Sequence, residues 1–206
     1  MSKACFITLE GGEGAGKTTN LEFIRDQLER QGKRVVVTRE PGGTPLGENI
    51  RAIFLGEGEI SPETELLLVF AARAQHLRDV IEPALAAGAW VVCDRFTDAS
   101  YAYQGGGRQV SPELIRRLEE MVQNGLKPDL TILFDAPVEV GMARAKRRGA
   151  SDRMESEDVE FYERVRIAYL QLAEHNPKRI KVIDSSRSLQ DVQANIAHLL
   201  LSLFGS

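Results

Sequence analysis

The chain has 206 residues, of which 43% are hydrophobic and 27% are charged, and its formal net charge at pH 7 is -4. This length and composition predict one soluble globular domain spanning residues 1–206, and they argue against a disordered or fibrous protein. The negative net charge argues against a surface that binds nucleic acid as a whole, so any site for an anionic ligand has to be local.

The N-terminal stretch does not have the composition of a targeting sequence. Its residues, MSKACFITLEGG, run directly into a strand pattern and lack the apolar core and cleavage site of a signal peptide. No segment approaches the roughly 20 apolar residues that cross a bilayer. Cys5 and Cys93 each lie in an apolar run, which is typical of buried thiols in a reducing compartment. We therefore expect no disulfide, no membrane partner and a cytoplasmic location.

Short apolar runs rich in β-branched residues alternate with segments of helical period along the chain. This pattern is typical of an α/β fold in which helices cover both faces of a parallel sheet. The predicted strands are residues 4–9, 34–38, 90–93, 130–134 and 180–183. Segments 44–59 and 144–157 fit neither the strand nor the helix pattern, and we expect them to be loops.

Serines and glycines mark the expected ends of several helices. A serine hydroxyl is expected to cap the first turn of helices that begin after Ser61, Ser111 and Ser188. Glycine is favoured just past the end of a helix, and we expect helices to end before Gly32, Gly88 and Gly125.

Residues 11–18 read GGEGAGKT, a full match to the pattern G-x-x-x-x-G-K-[ST] between a predicted strand and a predicted helix. Glycines let backbone N–H groups converge on phosphate oxygens, and a helix N-terminus favours negative charge. In this pattern Lys17 reaches the β- and γ-phosphates and the Thr18 hydroxyl ligates Mg²⁺. The predicted contacts with the triphosphate are Gly11, Gly12, Glu13, Gly14, Ala15, Gly16, Lys17, Thr18 and Thr19.

Asp94 follows the predicted strand WVVC and is the best candidate for a carboxylate that holds Mg²⁺, directly or through water. The alternative for Asp94 is a helix cap or an ion pair with Arg95. Glu10 and Glu13 are further candidates for contact with the metal.

A phosphate loop by itself does not distinguish molecular switches, motors and kinases. A GTP switch would carry an N-K-x-D segment, which this sequence lacks, and a nucleic-acid motor would be larger and more basic. A small-molecule kinase needs a second anionic site and a means of excluding water. Arginines outside the loop suit the second site, and the basic run RAKRRGASDR suits a mobile lid around 144–157. The alternative for that run is a basic helix end that complements the macrodipole.

Several segments resemble bacterial thymidylate kinases, and the resemblance extends from the first strand to the last helix. They are TREPGGTP (38–45), FAAR (70–73), DRF (94–96), SYAYQGGGR (100–108) and RRGASDRMESE in the lid segment. The resemblance implies a P-loop NTPase fold with a five-stranded parallel sheet, a homodimer, and transfer of the γ-phosphoryl group of ATP to thymidine monophosphate (dTMP). Alternatives that stay open are a kinase for another nucleoside monophosphate, a deoxynucleoside kinase, and a nucleotide-dependent switch or ATPase.

The resemblance also implies the residues that bind the acceptor. Phe70 would stack on the thymine ring, with core packing as its alternative role, and Arg73 would contact the base. Arg51 and Arg95 would hold the acceptor phosphate with a geometry that lysine cannot copy. The remaining implied contacts are Ser100 and Gln104 near the base, Tyr103 against a ribose 2′-hydroxyl, and Glu40 near the deoxyribose.

The resemblance places the catalytic arginine in the lid, because position 13 is a glutamate where some family members carry a basic residue. Arg153, with Arg148 or Arg147, would then act beside Lys17 and Arg95 on the transferring group. We expect the stem of Arg144 and residues 184–188 to lie beside the adenine. Ala99 stands where close relatives often have a hydroxyl residue, so we expect fewer contacts with the base there.

Overall fold

The structure is a computed structural model that describes residues 4–56, 58–147, 153–154 and 157–204. These residues form a five-stranded sheet in which all strands run parallel, in the order β2-β3-β1-β4-β5. The strands are β1 (Phe6–Glu10), β2 (Val35–Arg39), β3 (Trp90–Asp94), β4 (Leu130–Asp135) and β5 (Ile180–Asp184). All five predicted runs are confirmed. Each strand extends one residue past its apolar run, so that a charged residue stands at the carboxyl edge of the sheet.

Helices connect the strands and cover both faces of the sheet. They are α1 (Lys17–Arg30), α2 (Pro45–Leu55), α3 (Pro62–His76), α4 (Glu82–Ala86), α5 (Thr97–Ser100), α6 (Pro112–Gln123), α7 (Val138–Arg147), α8 (Val159–His175) and α9 (Leu189–Phe204). Two π-helical turns, Leu77–Ile81 and Tyr101–Gly107, continue α3 and α5. No helix in the described ranges is long and apolar enough to cross a membrane.

The predicted helix ends are largely confirmed. The Ser61 hydroxyl accepts a hydrogen bond from the backbone N–H of Thr64, and Ser188 caps α9 in the same way through Asp191. Ser111 stands before α6, but its hydroxyl makes no capping bond with the described residues, so that part of the prediction is wrong. The three glycines predicted at helix ends all have positive φ, which suits residues just past a helix.

Segment 44–59 is not a loop throughout, because α2 occupies most of it. The Thr44 hydroxyl accepts a hydrogen bond of 2.9 Å from the backbone N–H of Gly47, and Pro45 occupies the first helical position. Segment 144–157 is helical at its start, since α7 continues to Arg147. Residues 148–152 and 155–156 of this segment lie outside the described residues.

Apolar side chains cover the sheet on both faces and fix its position. On one face Ile24 and Leu28 of α1, one helical turn apart, pack with Ile196 and Leu200 of α9. On the other face α8 contributes a second cluster around Val165. β1 lies in the middle of the strand order, with β2 and β3 on one side of it and β4 and β5 on the other. The connections that leave the sheet therefore diverge to opposite sides at the carboxyl end of β1. Ligands of open α/β sheets bind at such a point.

Candidate active site

The phosphate loop fills the turn between β1 and α1 and is packed tightly against its neighbours. Gly14 has φ +64°, and a Cβ atom there would lie 2.0 Å from the carbonyl oxygen of Gly141 in α7. A Cβ atom at Gly141 would in turn lie 2.4 Å from the carbonyl oxygen of Glu13. A Cβ at Gly11 would approach the Phe134 carbonyl oxygen to 2.4 Å. The loop backbone therefore fits only without side chains at these positions.

Lys17 lies over the loop, and its side chain is buried. Its Nζ donates hydrogen bonds to the carbonyl oxygens of Gly11 (2.9 Å) and Gly12 (3.0 Å). Burial, and after it the positive charge of Arg95, lowers the pKa of Lys17 to about 8. A phosphate group would replace the carbonyl contacts with stronger charge-assisted hydrogen bonds.

A cavity of about 430 Å³ opens beside the loop, a volume suited to a nucleotide. Among its lining residues are Glu13, Gly14, Ala15, Gly16, Lys17, Thr18, Thr19, Arg144 and Ser185. Arg144 donates a hydrogen bond of 3.0 Å to the carbonyl oxygen of Ser185. The structure thus brings Arg144 and the 184–188 segment to one wall of this donor cavity. Gly11 and Gly12 are not among its lining residues.

The residues predicted to hold Mg²⁺ fit that ion. Asp94 ends β3, next to the end of β1, and lines the donor cavity together with Thr18. The Oδ1 atom of Asp94 is buried and has no hydrogen-bond partner among the described residues, so it is available to a ligand. Mg²⁺ commonly binds through one or two protein ligands together with phosphate oxygens and water. The described residues contain no cluster of three or more His, Cys, Asp or Glu that could hold a metal ion without ligands from phosphate or water.

The other two metal candidates, Glu10 and Glu13, have protein partners instead. Glu10 is fully buried and accepts hydrogen bonds of 2.7 Å from the Phe96 backbone N–H and the Tyr169 hydroxyl. Burial, followed by the nearby charge of Asp98, raises the pKa of Glu10 to about 8. Glu13 accepts a hydrogen bond from Arg95, so Arg95 pairs with Glu13 and leaves Asp94 to the donor cavity.

A second cavity meets the donor cavity at Glu13, Arg51 and Arg95, which line both. We call it the acceptor cavity. Its apolar walls are Pro41, Phe54, Leu55, Val69, Phe96, Ala99 and Met154. The polar residues predicted to bind the acceptor that line it are Glu40, Arg51, Arg73, Arg95, Ser100, Tyr103 and Gln104. The structure therefore brings together seven of the eight predicted acceptor residues.

Arg95 stands at the junction of the two cavities with a left-handed backbone, φ 67°. Its Nη2 donates hydrogen bonds to Glu13 and, at 2.8 Å, to the hydroxyl of Tyr103. Its Nε is buried and has no hydrogen-bond partner in the part of the chain that the structure describes. Arg51 lies nearby and donates to the carbonyl oxygen of Pro41 at 3.1 Å. Two guanidinium groups therefore face the point where an acceptor phosphate would meet the phosphate loop.

The side chain of Arg73 is almost completely buried, with 1% of its surface exposed. Its Nε donates to Glu40 at 2.7 Å, and its Nη2 donates at 3.1 Å to Phe96 O and to the Ser100 hydroxyl. Glu40 also contacts His76 at 3.0 Å. The Nη1 of Arg73 is buried, and none of the residues that the structure describes hydrogen-bonds to it. Glu40 thus fixes Arg73 within the acceptor cavity, and one donor of Arg73 is left for a ligand.

Phe70, the eighth predicted acceptor residue, is not among the lining residues of this cavity. It packs in the core with Leu66, Val110 and Ile115, and its ring lies 4.5 Å from the guanidinium carbon of Arg73. The structure therefore places Phe70 as the alternative interpretation expects, behind Arg73. Stacking on the base remains a prediction.

The three lid arginines have different outcomes. Arg147 is the last residue of α7, and its side chain is exposed. Arg148 lies outside the described residues. Arg153 lines neither cavity: its Nη2 donates to Glu65 at 2.7 Å, and its Nε donates at 3.0 Å to the carbonyl oxygen of Phe54, a residue that lines the acceptor cavity. A role on the transferring group would require Arg153 to leave Glu65.

The sequence analysis did not predict Glu65 as a site residue. Its side chain is fully buried. It accepts hydrogen bonds from Gln104, Arg108 and Arg153. The available signal was a glutamate inside the apolar helix ELLLVFAA, because a buried charge is rarely kept without partners.

Comparisons with known proteins agree with this geometry. The family model described as thymidylate kinase matches residues 9–196. The chain is 57% identical over 203 residues to thymidylate kinase from Methylococcus capsulatus, covering 98% of each chain. It is 59% identical over 200 residues to thymidylate kinase from Ectopseudomonas mendocina, covering 96% of this chain and 95% of that relative.

A solved structure shows the same fold. The crystal structure of thymidylate kinase from Ehrlichia chaffeensis superposes with a TM-score of 0.80 at 34% identity, covering 96% of this chain and 98% of that one. The phosphate loop, the paired cavities and these similarities over nearly the full length have one explanation: the chain belongs to the thymidylate kinase family.

Proposed function

We propose that the protein transfers the γ-phosphoryl group of ATP to dTMP, with Mg²⁺ bound at Thr18 and Asp94. The observation that carries this proposal is the meeting of the donor and acceptor cavities at Arg51 and Arg95. A bound Mg²⁺ would neutralise charge on the phosphate oxygens. The similarity to thymidylate kinases supports dTMP over the alternatives of another nucleoside monophosphate, a deoxynucleoside or a switch function.

Catalysis on this site needs positioning and charge neutralisation more than a general base. The phosphate of a monoester is already ionised near neutral pH, so its oxygen is a ready nucleophile. Arg51 and Arg95 hold this phosphate at the junction of the cavities, and the unpartnered Nε of Arg95 supplies a donor. Lys17 neutralises charge on the triphosphate from the opposite side. A lid around 144–157 would exclude water from the junction of the cavities, which would limit loss of the phosphoryl group to hydrolysis.

An assay of ADP release with a panel of nucleoside monophosphates tests this function. We expect ATP turnover that depends on dTMP and on added Mg²⁺, and much lower turnover with purine monophosphates or with thymidine. Equal turnover without any acceptor would indicate an ATPase, and preference for thymidine over dTMP would indicate a nucleoside kinase.

Phe70→Leu should raise the KM for dTMP about tenfold, because aromatic stacking on a base contributes about 1–3 kcal/mol. Leucine keeps an apolar side chain in the core but removes the ring that packs against Arg73. Steady-state kinetics at saturating ATP measures the effect, and thermal unfolding of the same variant monitors the core. An unchanged KM would assign Phe70 to core packing alone.

Arg153→Ala should lower kcat by about two orders of magnitude while changing the KM for dTMP little, as expected for a donor to the transition state. This follows from a lid around 144–157 that carries Arg153 to the transferring group. Arg153→Lys keeps the charge and should recover part of kcat. The opposite pattern, a raised KM with unchanged kcat, would mean that Arg153 only supports the acceptor cavity through its hydrogen bonds to Phe54 and Glu65.

The proposal includes a homodimer. Ile53 on α2 and Leu67 on α3 are 58% and 56% exposed, and these two helices pack side by side. Sedimentation should give a dimer at micromolar concentration, and Leu67→Glu should shift it to a monomer because the interface would have to bury a charge. A monomeric wild-type protein would contradict this part of the proposal.

A cytoplasmic location and small-molecule partners complete the proposal. The location follows from the composition, and the small-molecule partners follow from a donor cavity whose volume suits a nucleotide. Fractionation of cells that contain the native protein should recover the dTMP-dependent activity in the cytosolic fraction, and recovery in the membrane fraction would contradict it.

A further inference from the structure

Glu65 lies in the first turn of α3, and its side chain is completely buried behind the acceptor cavity. Its Oε1 accepts a hydrogen bond of 2.8 Å from the Nε2 of Gln104. Its Oε2 accepts from Arg153 at 2.7 Å and from Arg108 at 3.2 Å. Two arginines neutralise the carboxylate, which makes its burial tolerable. None of the roles assigned above uses Glu65.

The contact between Glu65 and Gln104 fixes which way the Gln104 amide points. A side-chain amide carries one donor end and one acceptor end, and its two orientations are distinguished only by its hydrogen-bond partners. An ionised carboxylate can only accept, so Gln104 has to turn its NH₂ group towards Glu65. Gln104 is 2% exposed and lines the acceptor cavity. Its Oε1 accepts no hydrogen bond from the described residues, so this carbonyl oxygen is left for a ligand.

Arg73 lines the same cavity and contributes a hydrogen-bond donor to it in this proposal. The Nη1 of Arg73 is buried and unpartnered, while its other nitrogens are held by Glu40, Phe96 and Ser100. The cavity therefore offers one fixed donor and one fixed acceptor. A 4-oxo pyrimidine such as thymine presents the complementary pair, a carbonyl oxygen at C4 beside an N–H at N3. Cytosine presents the reverse pair, an amino group beside a bare ring nitrogen, and would face donor to donor and acceptor to acceptor.

We propose that Glu65 is a positioning residue that sets the base specificity of the enzyme by holding the Gln104 amide in one orientation. The inference rests on the proposed function, since it concerns the base of the acceptor nucleotide. Glu65 never touches the substrate, and it acts by preventing a rotation of the Gln104 amide that would let cytosine bind. Discrimination against the wrong base arises because an unmatched buried polar group loses its hydrogen bond to water without replacement.

Glu65→Gln tests this role with the ratio of kcat/KM for dTMP to kcat/KM for dCMP. A glutamine at position 65 can donate as well as accept, so the Gln104 amide becomes free to turn. We expect the ratio to fall by about tenfold or more, the effect of losing one discriminating hydrogen bond. Weaker folding or a displaced Arg153 would lower both rates together and leave the ratio unchanged.

Glu157→Gln is the matched control. Glu157 also accepts a hydrogen bond from Arg108, at 2.5 Å, but the structure shows no contact between Glu157 and Gln104. This variant should keep the dTMP to dCMP ratio whatever happens to its turnover. A ratio that falls equally in both variants would contradict the inference, because the effect would then come from the loss of charge near Arg108.

The exchange Glu65→Gln with Gln104→Glu supplies the second variant. A glutamate at 104 can only accept, so the cavity again offers an acceptor while the cluster keeps its total charge. We expect this double variant to recover most of the preference for dTMP, and it carries the test if Glu65→Gln alone does not fold. Equal use of dCMP by the double variant would overturn the inference.

The outcomes separate this inference from the proposed function. A wild-type enzyme that uses dCMP as well as dTMP would contradict both. Wild-type preference for dTMP, with the same ratio in a folded and active Glu65→Gln variant, would contradict only the role of Glu65.

Discussion

Lys17→Ala should lower kcat by about two to three orders of magnitude, because it removes a preorganised positive charge from the phosphates during transfer. Its Nζ already lies over the loop, within 3.0 Å of the Gly11 and Gly12 carbonyl oxygens. The coupled assay of ADP release at saturating dTMP measures the loss. Lys33→Ala, on a lysine that packs over the ring of Trp90 away from both cavities, should keep wild-type kcat. Equal rates in the two variants would remove Lys17 from catalysis.

The same lysine gives the wild-type protein a pH dependence that the variant should lose. Because the pKa of free Lys17 is lowered to about 8, its charge is present below that pH and is lost above it. Affinity for ATP should therefore fall as pH rises through 8, while Lys17→Ala should show a flatter profile from pH 7 to 9.

Stability should change in the opposite direction over a higher range of pH. The pKa of Lys17 is 10.5 without the fold and about 8 within it, so between these values the unfolded chain binds more protons. The contribution of Lys17 to the free energy of unfolding therefore rises with pH from 8 to 10.5. Urea unfolding of the nucleotide-free protein, compared with Lys17→Ala, isolates this contribution.

Arg73→Leu should lower the free energy of unfolding by about 3–5 kcal/mol, since it leaves the buried Glu40 carboxylate without its guanidinium partner. Both side chains are at most 3% exposed, and their contact is 2.7 Å. The same variant should bind dTMP far more weakly because the unpartnered Nη1 is lost. Urea unfolding and titration calorimetry with dTMP measure the two effects separately.

A second substitution separates stability from binding. In Arg73→Leu combined with Glu40→Gln, no buried charge is left unpaired, so much of the stability should return. Affinity for dTMP should stay low, since the donor to the base is still missing. Recovery of both properties together would mean that Arg73 serves the fold and not the acceptor.

The sequence predicted the sheet well because its strands are covered on both faces and therefore read as continuous apolar runs. It predicted α2 poorly, although Thr44 and Pro45 are an N-cap and a first helical residue, because glycines surround them. The turn Tyr101–Gly107 was not anticipated either, since consecutive glycines argue against a helix. Close packing requires them: a Cβ atom at Gly107 would lie 2.5 Å from the ring of Phe161.

The residues of the two cavities were also predicted from the sequence to different extents. About half of the residues that line the donor cavity come from one continuous segment, the phosphate loop and the start of α1, so local spacing identified that half. The acceptor cavity is built from α2, α3 and the turn after α5, and no spacing within one segment predicts such contacts. Family resemblance supplied most of its residues. Glu65 and the buried pairing of Glu40 with Arg73 emerged only from the fold, because their partners lie 33 or more residues away along the chain.

The backbone contact between Gly14 and Gly141 fixes the distance between the phosphate loop and α7. Because neither position can carry a side chain, the backbone of the phosphate loop packs directly against the backbone of α7. No side chain lies between them that could change rotamer. Arg144 lies less than one turn further along α7, so its distance from the phosphate loop is set by the protein before any nucleotide binds. A single added methyl group at Gly14 or Gly141 would change that distance and displace Arg144 relative to the donor cavity.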